Sequence, residues 1–223
     1  MAVAASESDT ISEKAYRRIR TDILFGRLTP SQKLTLDRMK EAYGTSISTL
    51  REILNRLSSE KLVLAEGQRG FEVAPVSAEE LREIGAMRQL LEHHALEQSF
   101  AAGDMEWEGQ VVAAHHKLSL MEERMKAGDN GATETWKRYD WQFHQALISA
   151  CGSRMLLEAH GAVFDKYLRY QILAMTNRGA IAVREHKTFL DCALKRDIKG
   201  ATELLVVHVE GGVENALASG KIR

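Results

Sequence analysis

Residues 43–73 read YGTSISTLREILNRLSSEKLVLAEGQRGFEV, and three features in that order decide the fold of the N-terminal part. Leu50, Ile53, Leu54 and Leu57 recur at i, i+3, i+4 and i+7, the spacing that gathers apolar side chains on one helical face. Gly44 stands just ahead of them, where a missing Cβ suits a tight turn between two helices. Behind them come LVLAE and FEVA, two strand-like runs joined by GQRG. That is a hairpin with a basic tip.

Working outward, a first helix over about 11–26 carries Ile11, Ala15, Ile19 and Ile23 on one face. Pro30, in GRLTPSQKL, marks a turn, and LDRMKEAY forms a second, short helix. Three helices and a two-stranded wing make a winged helix-turn-helix. In that fold the N-terminal end of the third helix enters the major groove of double-stranded DNA. The outward positions there are Ser48, Thr49, Arg51 and Asn55. Arg51 suits guanine or a phosphate, while Ser48 and Thr49 are short donors near the backbone. Arg38 on the second helix and Arg69 at the wing tip extend the candidate DNA surface. Any one of these is as readily an ordinary solvated side chain; the order of the elements carries the argument.

The rest of the chain sets bounds. Its 223 residues suffice for two small domains, and 44% apolar with 27% charged content describes a folded chain. Residues 1–76 carry 12 Lys/Arg against 10 Asp/Glu, and residues 77–223 carry 18 against 21. That sign suits a DNA-facing N-terminal half. Cys151 and Cys192 are too few for a disulfide scaffold, so a reducing cytoplasm is expected. No apolar run approaches the roughly 20 residues of a membrane span. Pro75 in EVAPVSAEE, followed by Ser77 as a cap with Glu80 three residues on, marks a domain boundary. The expected layout is a disordered tail over 1–10, the winged helix over 11–75 and an all-helical domain over 76–223.

In that second part helices are expected at 78–102, 107–127, 132–150, 153–176, 180–196 and 198–218, separated by breaks such as AAGD, CGS and KRD. Six helices with short connections imply an antiparallel bundle. YDWQFHQAL, residues 139–147, places Asp140 and His144 four apart, on the face that also carries Trp136, Phe143 and Leu147. His186 lies in a stripe with Ala182, Phe189 and Ala193, and His208 in one with Ala201, Leu205 and Gly212. Each is 11 residues from Asp197, on opposite sides of the turn, so the imidazoles meet at one level of a hairpin. The pairs His93–His94 and His115–His116 point to different sides of a helix, and His160 has no useful polar neighbour in sequence. A lone inward-facing His is usually a satisfied core residue. Three imidazoles and one carboxylate together are a first shell for a divalent transition metal, with positions left open. Zinc is the first expectation, with nickel or manganese as alternatives. Arg88 recurs with Leu81, Ile84, Leu91 and Ala95 and so takes a core-facing slot. Either its stem snorkels outward, or its guanidinium anchors a small organic acid.

GRLTPSQKL and the stretch over 43–73 resemble the GntR family of bacterial transcription regulators, and DWQFH with the later EHKTFLDCALKRD and a following histidine resemble the FCD domain of its FadR subfamily. Pro30, Arg51, Glu52, Leu57 and Gly70 keep the family pattern. Ser31 departs from it where Gly is usual, and Ile47 where an Arg often contacts DNA. The resemblance implies DNA contacts at Arg38, Ser48, Thr49, Arg51 and Arg69, and metal ligation by Asp140, His144, His186 and His208. It also implies an organic-acid contact at Arg88. The expected protein is therefore not an enzyme but a homodimeric regulator of a palindromic operator, since one winged helix reads few base pairs. A metal-dependent enzyme and a regulator with a purely structural metal remain the rival readings.

Overall fold

The computed structural model describes residues 10–65, 70–129, 131, 133–174 and 178–222. The chain divides into two compact units between Ser77 and Ala78.

In the first unit α1 (Ile11–Leu24) begins under a cap, Thr10 accepting from the Glu13 amide at 3.2 Å. Next come β1 (Lys33–Leu34), α2 (Leu36–Tyr43) and α3 (Ile47–Ser59), then β2 (Val63–Ala65) and β3 (Phe71–Val73). Gly44 ends α2 in the left-handed region, at φ +63°. Ser46 caps α3 by accepting from the Thr49 amide at 3.2 Å. Ile19, Ile23, Leu50, Ile53, Leu54, Leu57, Leu62 and Val73 close one core. Ile11, expected on the inner face of α1, is 71% exposed, because it is the first residue of the helix and overhangs that core. Tyr16 and Arg20 of α1 both bond Glu60 just past α3, which ties the two helices together.

Among the described residues the sheet has three strands rather than two, in the order β1-β3-β2 and antiparallel throughout. Val73 gives its amide to the Gln32 carbonyl at 2.9 Å and accepts from the Ser31 amide at 3.0 Å, so the segment after Pro30 becomes an edge strand. Two-residue strands carry too little alternation to be read from sequence. The chain enters β1 through Ser31 at φ +61°, a left-handed conformation that glycine adopts at least cost.

In the second unit α4 (Ala78–Ala102), α5 (Met105–Lys126), α6 (Thr133–Ile148), α7 (Arg154–Ala174), α8 (Ala180–Lys195) and α9 (Ile198–Ala218) form the helical bundle. α4 packs on α6, α7 and α9, while α5 packs on α6 and α8. α8 and α9 form a tight hairpin. Arg196 takes φ +55° at its apex, and Asp197 caps α9 on the Gly200 amide at 2.9 Å. Each helix is apolar toward the interior, yet the interior also holds Arg88, Glu92, Glu122, Lys137, Asp140, His144, His160, His186 and His208. Charges are costly there unless paired, so this bundle is organised around a polar centre.

The strained turn yields a prediction. Relief of a left-handed side chain is worth roughly 1–2 kcal/mol, and glycine's freer unfolded chain takes back roughly 0.5–1. Ser31→Gly is expected to raise the stability of the first unit by up to about 1 kcal/mol in a denaturant titration. A loss of stability would show that the serine side chain contributes more than its backbone costs.

Candidate functional site

Three helices bring the ligand atoms together. α6 contributes Asp140 and His144, α8 His186 and α9 His208. The hairpin places His186 opposite His208, with ring centroids 5.3 Å apart, and His144 lies 5.0 Å from His208 and 5.9 Å from His186. One nitrogen from each of the three rings falls within 4.8 Å of the others. Asp140 Oδ1 is 3.1 Å from His186 Nε2. Phe143, Phe164 and Phe189 pack on these rings. Of the two aromatic residues in DWQFH, Phe143 packs on these rings and Trp141 makes no such ring contact among the described residues.

The tautomer of each histidine follows from a partner that sequence reading missed. Glu92 Oε1 lies 2.5 Å from His144 Nδ1, Glu122 Oε1 2.6 Å from His186 Nδ1, and Glu185 Oε2 2.7 Å from His208 Nδ1. A carboxylate accepts only, so each Nδ1 donates and each Nε2 is left for another partner. Carboxylates placed behind imidazoles in this way orient metal-bound histidines and raise their basicity. His186 Nε2 is buried and makes no hydrogen bond, although Asp140 Oδ1 lies 3.1 Å away. Two ligands of one cation, with bonds near 2.0–2.2 Å, are separated by about 3 Å. An orphaned Nε2 at that distance from a carboxylate, with two more imidazoles converging, fits a divalent metal.

Arg88 does not snorkel: it is 1% exposed. Its Nε bonds Glu92 at 2.8 Å, and its Nη2 lies 3.1 and 3.3 Å from the two ring nitrogens of His144. With Nδ1 committed to Glu92, Nη2 donates to Nε2. The guanidinium also stacks on Phe164 at 4.3 Å and on Tyr167 at 4.7 Å. His160 is another part of this network, 3.2 Å from Glu92 Oε2 and 2.6 Å from Gln145 Nε2. Its partners come from α4 and α6, so its neighbours along α7 could not reveal them.

The electrostatics follow from burial opposed by pairing. Burial alone would raise the Asp140 carboxyl, but His186 and the Lys137 ammonium hold it well below the usual range. Burial works against charge on His186, yet Asp140 and Glu122 on either side raise it to about 9. Burial dominates at His208 and brings it down to about 3. Burial also opposes charge on Glu185, but His208 and Arg178 lower it to about 2. Lys137, buried beside the Trp136 ring, is lowered by the same desolvation.

A cavity of about 30 Å³ adjoins Asp140, His186 and His208, and Arg88, Lys137 and Arg178 line it with Tyr167 and Gln171. That space suits one or two waters, not an organic acid. Three cations around a small polar cavity are arranged for an anion. Arg178 also grips Glu185 at 2.7 Å through two nitrogens.

On the first unit Arg38, Ser48, Arg51 and Asn55 are exposed and Thr49 is half-buried. Ser46 Oγ lies 2.8 Å from Ser48 Oγ and 3.0 Å from Thr49 Oγ1, a hydroxyl cluster at the start of α3. Arg69 lies outside the described residues. Residues 11–73 match the gntR family of bacterial regulatory proteins, and residues 83–211 match the FCD domain. The chain belongs to the GntR family. It is similar to the uncharacterized HTH-type transcriptional regulator BphR of Paraburkholderia xenovorans, 38% identical over 96% of this chain and 88% of that one. It is 32% identical to the HTH-type transcriptional repressor GlaR of Escherichia coli, over 87% of this chain and 90% of that one. Its fold is shared with a GntR transcriptional regulator from Rhodococcus sp. RHA1, at a TM-score of 0.74, 22% identity and coverage of 93% and 97%. The GntR proteins are transcriptional regulators that bind DNA operators, not enzymes, and this chain is one of them.

Glu185→Gln keeps the size of the side chain and removes the charge behind His208. Loss of such a carboxylate typically costs 10–100-fold in metal affinity, and a competitive zinc titration against a chelating dye should show that loss. Undiminished affinity would remove Glu185 from the support of the site.

Proposed function

We propose that this GntR regulator senses a small carboxylate through a divalent metal held by Asp140, His144, His186 and His208, and that occupancy alters operator binding. The observation that carries the reading is the set of three Nδ1–carboxylate pairs on imidazoles that each bring a nitrogen within 4.8 Å of the others, beside a cavity walled by cations. The donor set favours a first-row transition metal, zinc first and nickel or manganese next. When bound, the metal supplies a Lewis-acidic point for one carboxylate oxygen of the effector.

The residues of the chain do the rest. Arg88 Nη2 now acts as the cationic partner of His144 Nε2. A metal at that nitrogen takes over the role and leaves the guanidinium fork available to the cavity. There Lys137 and Arg178 add positive charge. The cavity must open for an acid to enter, so binding is tied to a change of arrangement. Arg88 and Glu92 lie on α4, the helix that starts directly after the boundary at Ser77. A shift of α4 is thus the shortest covalent path from the site to the DNA-binding unit. A ligand moves that equilibrium only by the difference in its affinity for the two states, and tenfold regulation needs about 1.4 kcal/mol.

At the other end Arg51, Asn55 and Arg38 would read or grip the operator, with Ser48 and Thr49 near the backbone and Arg69 from the wing. A homodimer on a palindromic site supplies the second half-site. The small cavity also favours a second reading, in which the metal is purely structural. Chelation separates the two: a structural metal changes the melting temperature but confers no response of DNA affinity to any acid.

Two substitutions test the proposal. Arg51→Ala is expected to weaken operator binding by about 1–3 kcal/mol at fixed salt; wild-type affinity in a gel-shift titration would take Arg51 out of the interface. Arg88→Lys retains a charge for Glu92 but loses the fork, so the affinity for a responsive acid should drop about tenfold by calorimetry. Unchanged acid affinity would reduce Arg88 to a structural partner of Glu92.

A further inference from the structure

The cavity beside Asp140, His186 and His208 is enclosed by buried side chains with one exception. Among the described residues that line it, Arg178 alone is not buried, its side chain being 14% exposed. Arg178 precedes α8 and bonds both helices of the α8–α9 hairpin. Its Nη1 and Nη2 each lie 2.7 Å from a Glu185 oxygen on α8, and Nη1 also donates to the His208 carbonyl of α9 at 3.1 Å. The guanidinium can rest there because Gly211 has no side chain. A Cβ on Gly211 would stand 2.6 Å from Nη2 and 2.8 Å from Cζ, so any larger residue would push the guanidinium off this seat.

We propose that Arg178 is the gate of this cavity: metal and acid exchange with solvent where its guanidinium now lies, and they pass when it leaves Glu185 and Gly211. What passes rests on the metal-and-acid reading above; the position of the gate does not. The buried lining residues could open a path only by parting helices, whereas a long side chain at the surface moves by rotation about its own bonds. Leaving breaks a two-pronged ion pair with Glu185, so the gate is closed at rest. Glu185 also accepts from His208 Nδ1 at 2.7 Å, and opening leaves it held by that bond without the arginine. Passage through the gate is therefore felt by the carboxylate that orients a metal ligand.

Diethyl pyrocarbonate, which acylates neutral imidazoles, is the probe, applied to the metal-free full chain and read at each histidine by peptide mass spectrometry. His208 lines the cavity, while His160 is fully buried in the same bundle and does not line it. Arg178→Ala removes the gate. Gly211→Ala keeps every charge and favours the helix, and its methyl group displaces the guanidinium. Labelling of His208 is expected to quicken at least tenfold in Arg178→Ala and severalfold in Gly211→Ala, with His160 unchanged. Zinc uptake and release by Gly211→Ala, followed by stopped flow, should quicken by the same factor and leave the equilibrium affinity as in wild type. A wild-type chain that takes up no zinc would remove the metal reading, and the labelling would still decide the gate. Wild-type labelling of His208 in both variants would overturn the proposal. So would equal acceleration at His160, the mark of a loosened bundle, or zinc affinity lost through release alone, the mark of mere support for Glu185.

Discussion

Glu92, Glu122, Asp140 and Glu185 are carboxylates withdrawn from water inside one helical bundle, and the rest of the centre is a response to them. An ionised carboxyl in a low-dielectric interior survives only beside positive charge and hydrogen-bond donors. Arg88 answers Glu92, Lys137 faces Asp140, and Arg178 grips Glu185. His144, His186 and His208 each give Nδ1–H to one of these carboxylates. His186 shows the logic most clearly. With Glu122 on one nitrogen and Asp140 by the other, it is held as a cation up to about pH 9. A proton there does the work a metal ion would do. The two compete for the same nitrogen, and loading a metal must release that proton.

That competition bears on how a compact core can also be a sensor. Replacing one proton by a divalent cation adds a charge to the centre, and the added charge favours an anion in the neighbouring cavity. The cavity is too small for an acid as it stands. Binding energy from the metal and from Arg88 would therefore be spent partly on moving helices apart. Such a site binds more weakly than a preformed one, but its ligand is coupled to a change of shape. A roomy, rigid pocket of the same chemistry would bind acids without reporting them.

Much of this was legible in the sequence because helices repeat. The 3.6-residue period exposes the inward stripes of α6, α8 and α9, and equal spacing about Asp197 sets His186 level with His208. The winged helix was legible from Gly44, the apolar face of α3 and the hairpin that follows. What escaped reading depends on tertiary contact. Glu92, Glu122 and Glu185 sit among other charged residues on their helices, and only packing shows which ones turn inward. The partners of His160 come from α4 and α6. Lys137 is adjacent to the apolar Trp136, and its burial beneath that ring has no local signature. The edge strand β1 was hidden by its length. The backbone is left-handed at Ser31, a conformation glycine adopts at least cost.

The other departure, Ile47, changes where operator specificity can reside. It is the first residue of α3, half-buried, and has no side-chain donor. The first turn of α3 then offers hydroxyls from Ser46, Ser48 and Thr49, gathered around Ser46 Oγ, at the positive end of the helix dipole. That combination suits a phosphate, which carries no sequence information. In the proposed docking, base reading would fall one turn further along, to Arg51 and Asn55, which lie four residues apart on the same exposed face. An arginine that reads guanine beside an asparagine that reads adenine makes a narrow contact. A protein built this way would gain discrimination from pairing two half-sites more than from either one alone.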